Sequence, residues 1–368
     1  MKKKKIIFVM AARPNFMKIA PLVRFYQNSQ EMNDLFEIVL VHTGQHYDDT
    51  MSNSFLHDLE MPTPNYNLEA HGVGLVNLVS NVLVEFEKVC KKEEPDLVLT
   101  VGDVSSTLAC SIVTKYLKIP LCHIEAGLRS NNRNMPEEIN RLMTDSVTDL
   151  FFTTSSGANT QLMKEGIPEN QIFFVGNLMI DSLDYFYKKN PTSIRVQETF
   201  LNKKFALLTL HRPNNVDSKK SLEHYLHGLR EVSKKIPIYF PCHPRTKSKI
   251  EEFKLTKYFD DKNFVIGEPA NYLDMIALYE KAALVLTDSG GIQEETTFLS
   301  IPCLTLREDT ERPVTVDQGT NIIVGSDFEK ISLHVDQVLS DTFKKGQAIQ
   351  FWDGKAAERI WNVLAKNL

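Results

Sequence analysis

Short apolar runs alternate with amphipathic stretches along the whole chain. In the first half, residues 6–10, 38–42, 97–101, 121–124 and 150–152 are strand-length runs rich in Val, Ile, Leu and Phe. Such runs are the signature of strands buried on both faces. Between them the spacing turns helical. Leu75, Leu78, Val79, Val82, Phe86 and Val89 fall on one face, and Pro95 closes that segment. The second half repeats the alternation, with runs at 206–210, 238–240, 264–266, 284–286 and 303–306. Alternating strand and helix predict parallel sheets covered by helices on both faces. Two such sets predict an α/β protein of two doubly wound domains facing each other across a cleft. The join is expected within residues 176–192, which run from loop through helix to a polar linker, dividing the chain into 1–175 and 176–352. The last helix, within 353–368, carries Ile360, Trp361 and Leu364 on one face and is expected to pack back on the first domain.

Composition narrows the class without naming a function. A chain of 368 residues is too long for one ordinary core, and 42% apolar with 24% charged residues is the balance of a soluble globular protein. The net charge of −5 gives no electrostatic case for nucleic acid, and the basic run at 2–5 is too short to change that. No apolar run approaches the roughly 18 residues that a membrane span needs. The five cysteines, Cys90, Cys110, Cys122, Cys242 and Cys303, are scattered and lack CxxC spacing. They are expected to be reduced core thiols of a cytoplasmic protein.

The candidate chemistry sits where strands end. The segment LVLTDSGGIQEE runs from an apolar strand into Asp288-Ser289-Gly290-Gly291 and then a helix carrying Glu294 and Glu295. That layout aims unpaired backbone N–H groups and the positive end of a helix dipole at an anion, and glycines let a phosphate come close. The plainer alternative is a helix capped by Asp288 or Ser289 with surface acids behind it. After the first strand come Arg13, Pro14 and Lys18 at a helix start. Asp103 and Glu125 each follow an apolar strand closely, where an acid is awkward unless it faces a ligand or a partner. Pro136 opens a helix with Glu137, Glu138 and Arg141. His211 and His243 end two later strands, each with an arginine beside it, and Arg312 in DTERP can grip a phosphate or carboxylate bidentately. There is no GxGxxG, Walker loop, HExxH or GxSxG, and no His and Cys spacing favours a metal. Chemistry by carboxylates and histidine with no bound cofactor is the expectation.

Taken in order, AARPNFMKIAPLV, GQHY, VGDVSSTLA, HIEAGLR, MPEEINR, LTLHRP, PCHPRT, LTDSGGIQEE and TERP resemble the bacterial non-hydrolysing UDP-N-acetylglucosamine 2-epimerases. The resemblance implies two Rossmann-like domains in the glycosyltransferase-B architecture. It implies interconversion of UDP-GlcNAc and UDP-ManNAc for surface-polysaccharide precursors, and a homodimer. It assigns Ser289, Gly290 and Gly291 to phosphate, Glu295 to the ribose hydroxyls, and Arg13, His211 and Arg312 to further phosphate and sugar contacts. Asp103, Glu125 and Glu137 match the acids that handle protons, with Lys18 nearby, while Gln45 and His46 match a motif that in some members binds a second, activating UDP-GlcNAc. Ala11-Ala12, Asn15, Val104 and Val314 depart from the commoner pattern, which leaves the exact sugar and the activation open. A hydrolysing epimerase and a glycosyltransferase of the same architecture are the rival readings.

Overall fold

A computed structural model describes residues 2–44, 56–70, 72, 74–189, 200, 204–259 and 262–368. Its first sheet contains β1 (Lys4–Met10), β2 (Phe36–His42), β3 (Tyr66–Asn67), β4 (Leu97–Val101), β5 (Leu121–Ile124), β6 (Leu150–Thr153) and β7 (Ile172–Phe174). Its second contains β8 (Ala206–Thr209), β9 (Ile238–Pro241), β10 (Phe264–Gly267), β11 (Leu284–Thr287), β12 (Cys303–Thr305) and β13 (Asn321–Ile323). The strands are ordered β3-β2-β1-β4-β5-β6-β7 and β10-β9-β8-β11-β12-β13. All neighbouring strands run parallel, for example Ile6 beside Ile38 and Leu286 beside Leu208. Counted from its own first strand, each sheet follows the same doubly wound order, so both are Rossmann-like. The order of winding reverses between β1 and β4 and again between β8 and β11. Open sheets of this kind receive ligands outside the carboxyl ends of the strands at that reversal.

The strand interiors are apolar because helices cover both faces. In β8, Leu207 joins a cluster with Phe205, Tyr239, Leu278 and Val285. Its neighbour Leu208 joins the opposite cluster with Leu226, Leu229, Phe240 and Leu286. Alternating residues thus feed two cores. Three strands lie outside the predicted runs, namely β3, β7 and β13. Each is two or three residues long and each lies at a sheet edge, where one side has no neighbouring strand and little apolar length is required.

The chain forms two compact units, Met1–Ser182 with Gln350–Leu368, and Leu183–Ile349. The Ala356–Asn367 helix belongs to the first. Its first two amides, of Ala356 and Ala357, donate to Asp181. Trp361 is fully buried among Phe8, Tyr26 and Phe36. Its indole N–H donates to the Leu22 carbonyl at 2.9 Å, which satisfies the one polar atom of the ring. All five cysteines are buried free thiols. Among the described residues no helix is long and apolar enough to cross a membrane.

Candidate functional site

In the first unit, polar groups gather where β1, β4 and β5 end. The Arg13–Asn28 helix starts directly after β1, and Asn15 ties that junction to the next strand. Its Oδ1 accepts from the amides of Ala11 and Ala12, while its Nδ2 donates to the Val101 carbonyl at the end of β4. One turn further on, Lys18 meets Glu125 at 2.5 Å, both side chains about 5% exposed. Glu125 itself sits in the left-handed region, φ 67°, an uncommon conformation for a residue with a side chain. Strain of this sort, on the order of 1–3 kcal/mol, concentrates at functional positions. Gly102 fits between these groups. A Cβ there would lie 3.3 Å from the Asn15 amide and 3.5 Å from Glu125 Oε2.

Asp103 follows Gly102 and is fixed from the Pro136–Val147 helix. Arg141 donates to its Oδ2 through Nε at 2.9 Å and through Nη2 at 2.6 Å, and Asn140 donates to its backbone carbonyl. Only Oδ2 is engaged among the described residues, leaving Oδ1 on a side chain 29% exposed. Two acids adjacent in sequence differ sharply. Glu138 is buried and accepts from the amides of Ser130 and Asn131 and from Arg141, so it builds the loop. Burial pushes its pKa up, but those hydrogen bonds outweigh burial and hold it below the ordinary carboxylate value. Glu137 is half-buried in the same first turn and has no ion-pair partner among the described residues.

The second unit presents a different chemistry at the ends of β8, β9 and β11. The Gly290–Phe298 helix begins at Ser289 with no side-chain cap, so its first amides are open to an anion. Asp288 is fully buried and turns away from that helix. It accepts from the amides of His211 and Arg212, from Asn215 Nδ2, and from His211 Nδ1 at 3.0 Å. Burial favours its neutral form, but the hydrogen bond and charge of the His211 ring and the two amides prevail, so its pKa is lowered. The ionised Asp288 therefore fixes Nδ1 of His211 as a donor and leaves Nε2 for a ligand. The His243 ring lies 6.5 Å from that of His211, its own Nδ1 accepting from the Arg245 amide.

Beside the helix start lies a knot of charge. Arg312 bonds Glu294 at 2.9 Å and Glu311 at 2.8 Å, Arg307 bonds Glu311 at 3.0 Å, and Arg212 stands 3.8 Å from it. Burial opposes ionisation of Glu311, yet Arg312, Arg307 and Arg212 together hold it far below the usual carboxylate range. A Cβ on Gly290 would come within 2.8 Å of Glu311 and 2.9 Å of Arg312. Glycine is needed there to let this knot abut the helix start. Glu295, 3% exposed, takes a hydrogen bond from the Tyr279 hydroxyl. Burial, opposed by Tyr279 and reinforced by the neighbouring charge of Glu294, pushes its pKa up to about 7.

Comparison with known proteins decides the family. Residues 28–365 match the family model described as UDP-N-acetylglucosamine 2-epimerase. The UDP-N-acetylglucosamine 2-epimerase of Methanocaldococcus jannaschii is 39% identical, across 98% of both chains. The crystal structure of that organism's UDP-GlcNAc 2-epimerase in complex with UDP-GlcNAc and UDP superposes with a TM-score of 0.88 at 38% identity, covering 99% of this chain and 100% of that one.

This chain belongs to the UDP-N-acetylglucosamine 2-epimerase family. It is an epimerase. The UDP-2,3-diacetamido-2,3-dideoxy-D-glucuronate 2-epimerase of Pseudomonas aeruginosa is also similar, 36% identical over 98% of this chain and 99% of its own. The relatives are archaeal as well as bacterial.

Of the residues that the motifs single out, the first unit of the epimerase brings together Lys18, Glu125 and Asp103 around Gly102. The second brings together His211, His243, Ser289, Gly290, Gly291, Glu295 and Arg312 around one helix start. Arg13 opens the Arg13–Asn28 helix, and its side chain lies outside the described residues. Gln45 and His46 lie outside the described residues. Arg141 and Asp288 carry more of the site than their motifs suggest. Asp288 caps no helix but pins the His211 loop, and Arg141 fixes the carboxylate of Asp103. Among the described residues no cluster of His, Cys, Asp and Glu could hold a metal ion.

Proposed function

We propose that this epimerase interconverts UDP-GlcNAc and UDP-ManNAc without net hydrolysis, by eliminating UDP and adding it back. The hydrogen at C2 of an N-acetyl sugar has no neighbouring carbonyl to make it acidic. Breaking the C1–O bond first sends an electron pair to the β-phosphate and leaves an oxocarbenium-like ring, whose charge acidifies C2–H. A carboxylate takes that proton, the C1–C2 double bond of 2-acetamidoglucal forms, and a proton returned to the opposite face gives the epimer when UDP adds back.

The observation that supports this most directly is the state of the acids at the ends of β4 and β5. Asp103 keeps one oxygen for a proton while Arg141 fixes the other. We assign it as the C2 base. Glu125, held by Lys18 at the end of β5, is assigned to the other face. Glu137 is the alternative partner. General acid–base groups of this kind each contribute on the order of 100- to 10,000-fold. The leaving diphosphate is assigned to the open amides of Gly290 and Gly291, with Ser289 and Arg312 beside them. Preorganised donors there stabilise charge as it develops. His211, aligned by Asp288, is assigned to that charge through its Nε2, with His243 beside it, and Glu295 is assigned to the ribose hydroxyls.

Incubation with UDP-GlcNAc in D₂O, followed by NMR, tests the reaction. Deuterium at C2 of a UDP-ManNAc product is expected. Free ManNAc as the main product would favour a hydrolysing enzyme, and epimerisation without deuterium would refute proton abstraction. The Pseudomonas relative makes its own diacetamido uronate the substrate to run in parallel. We further propose a cytoplasmic homodimer feeding surface-polysaccharide synthesis. We assign its contact to the surface where Val84 and Tyr116, 55% and 84% exposed, rim an apolar groove with Leu83, Ile112 and Leu117. Sedimentation of a Tyr116→Glu variant as a monomer is the expected result.

A further inference from the structure

We propose that His123 is a buried imidazolium, protonated on both ring nitrogens, which positions Asp103 by holding the Gly102 carbonyl. His123 is the third residue of β5 and is fully buried. Its Nδ1 lies 2.6 Å from Asp145 Oδ1 and its Nε2 lies 2.8 Å from the Gly102 carbonyl oxygen. A carbonyl oxygen only accepts, so a nitrogen at 2.8 Å must donate to it. A neutral ring has one N–H. If that proton sat on Nε2, the lone pair of Nδ1 would face a carboxylate; if it sat on Nδ1, a lone pair would face the carbonyl. With no solvent at the ring, either arrangement leaves two buried acceptors in contact.

Protonating Asp145 in place of the ring would resolve the conflict, but its surroundings oppose that. Asp145 Oδ2 accepts from the Gly127 amide at 3.0 Å and meets Arg129 at 2.7 Å. Burial raises its pKa, yet His123, Arg129 and that amide more than reverse the effect. The charged groups around the ring are Asp145 from the Pro136–Val147 helix, Arg129 from the loop after β5, and Glu165, which pairs with Arg129 at 2.6 Å. Across Gly102 stands the Lys18–Glu125 pair. Beyond the gripped peptide stand Asp103, Arg141 and Glu138, so the surroundings hold five carboxylates against three cations, and a protonated His123 makes the cations four.

The peptide that His123 grips joins Gly102 to Asp103. Asn140 holds the next carbonyl, that of Asp103, and the Gly102 amide donates to Ile124. The turn that presents Asp103 is thus fastened on both sides, and His123 supplies the one ionic fastening on its backbone. It touches no substrate in this scheme and is a positioning residue. The consequence for rate rests on the function proposed above.

Nitrogen-15 NMR of the whole protein, labelled at its ten histidines, tests the protonation. Comparison with His123→Asn assigns the signal. At neutral pH we expect two N–H-bearing ring nitrogens. A lone-pair nitrogen at His123 there would overturn the proposal. His123→Asn and His123→Gln test the positioning. Asparagine can keep the bond to Asp145, whereas only glutamine reaches the Gly102 carbonyl. The Asn variant should lose about 100-fold in kcat with KM nearly unchanged, the scale of an ångström-level misplacement. The Gln variant should recover most of it, and equal loss in both would refute the positioning role. The Gly102 carbonyl ¹³C shift should move in the Asn variant and return in the Gln variant. That shift decides the hold on the peptide even if the wild type fails to turn over UDP-GlcNAc, which would sink the functional reading alone.

Discussion

Replacing Glu295 with glutamine should make the protein more stable and worse at binding nucleotide. The carboxyl is buried beside Glu294, and its pKa rises to about 7 from 4.5. A raised carboxyl pKa means the folded state holds the proton more tightly than the unfolded chain. Its contribution to stability is therefore complete below the unfolded value and is lost as pH rises through about 7. At 1.36 kcal/mol per pKa unit, ionising it in place amounts to about 3 kcal/mol at pH 8 and only about 1 kcal/mol near pH 5.5. Glutamine carries no charge and can still accept from Tyr279, so it escapes the penalty. Urea unfolding of wild type and Glu295→Gln, followed by circular dichroism, should show the variant ahead by about 3 kcal/mol at pH 8. The gap should shrink by about 2 kcal/mol near pH 5.5. Both tryptophans, Trp352 and Trp361, lie in the first unit, so their fluorescence serves as an internal control that should not shift. The same change should weaken UDP binding by about 10-fold or more, the worth of one charge-assisted hydrogen bond. A stability gap independent of pH would refute the burial argument, and unchanged UDP affinity would remove Glu295 from the ribose.

Three further outcomes are expected. Gly290→Ala pushes a methyl into Glu311 and Arg312, so calorimetry should find UDP affinity down at least about 10-fold with the fold intact. Asp288→Asn leaves the loop amides bonded but no longer fixes the His211 tautomer by charge. Steady-state kinetics should show kcat down about 100-fold and KM little changed. Trp361→Ala empties a fully buried site among three aromatic rings, and chemical unfolding followed by circular dichroism should show the first unit weakened by about 3–5 kcal/mol.

The fold class is legible because the central strands are dominated by apolar residues, a consequence of helices on both faces; Thr100 and His123 interrupt them but are buried and hydrogen-bonded. The edge strands β3, β7 and β13 lie outside the predicted runs; each is two or three residues long, and unlike the equally short β12 none sits between two neighbouring strands. In the candidate site, strand-end acids stand out locally, but their partners do not. Arg141 is 38 residues from Asp103, Asp288 is 77 residues from His211, and Lys18 is 107 residues from Glu125. Pairings at such separations are made by sheet order, which local spacing does not carry. Glu137 and Glu138 show the same limit in miniature. Both are acids in one helical turn, yet only the folded loop reveals that Glu138 is committed to Ser130, Asn131 and Arg141.

The route by which the first unit closes has a consequence for biosynthesis. Its core is completed by Trp361 and the helix that carries it, which leave the ribosome after the entire second unit has been made. Until then Phe8, Tyr26 and Phe36 lack their covering ring, while the second unit is one continuous stretch and can mature unaided. A chain released before residue 350 would therefore carry a complete second unit and an uncovered first one, a natural client for chaperones.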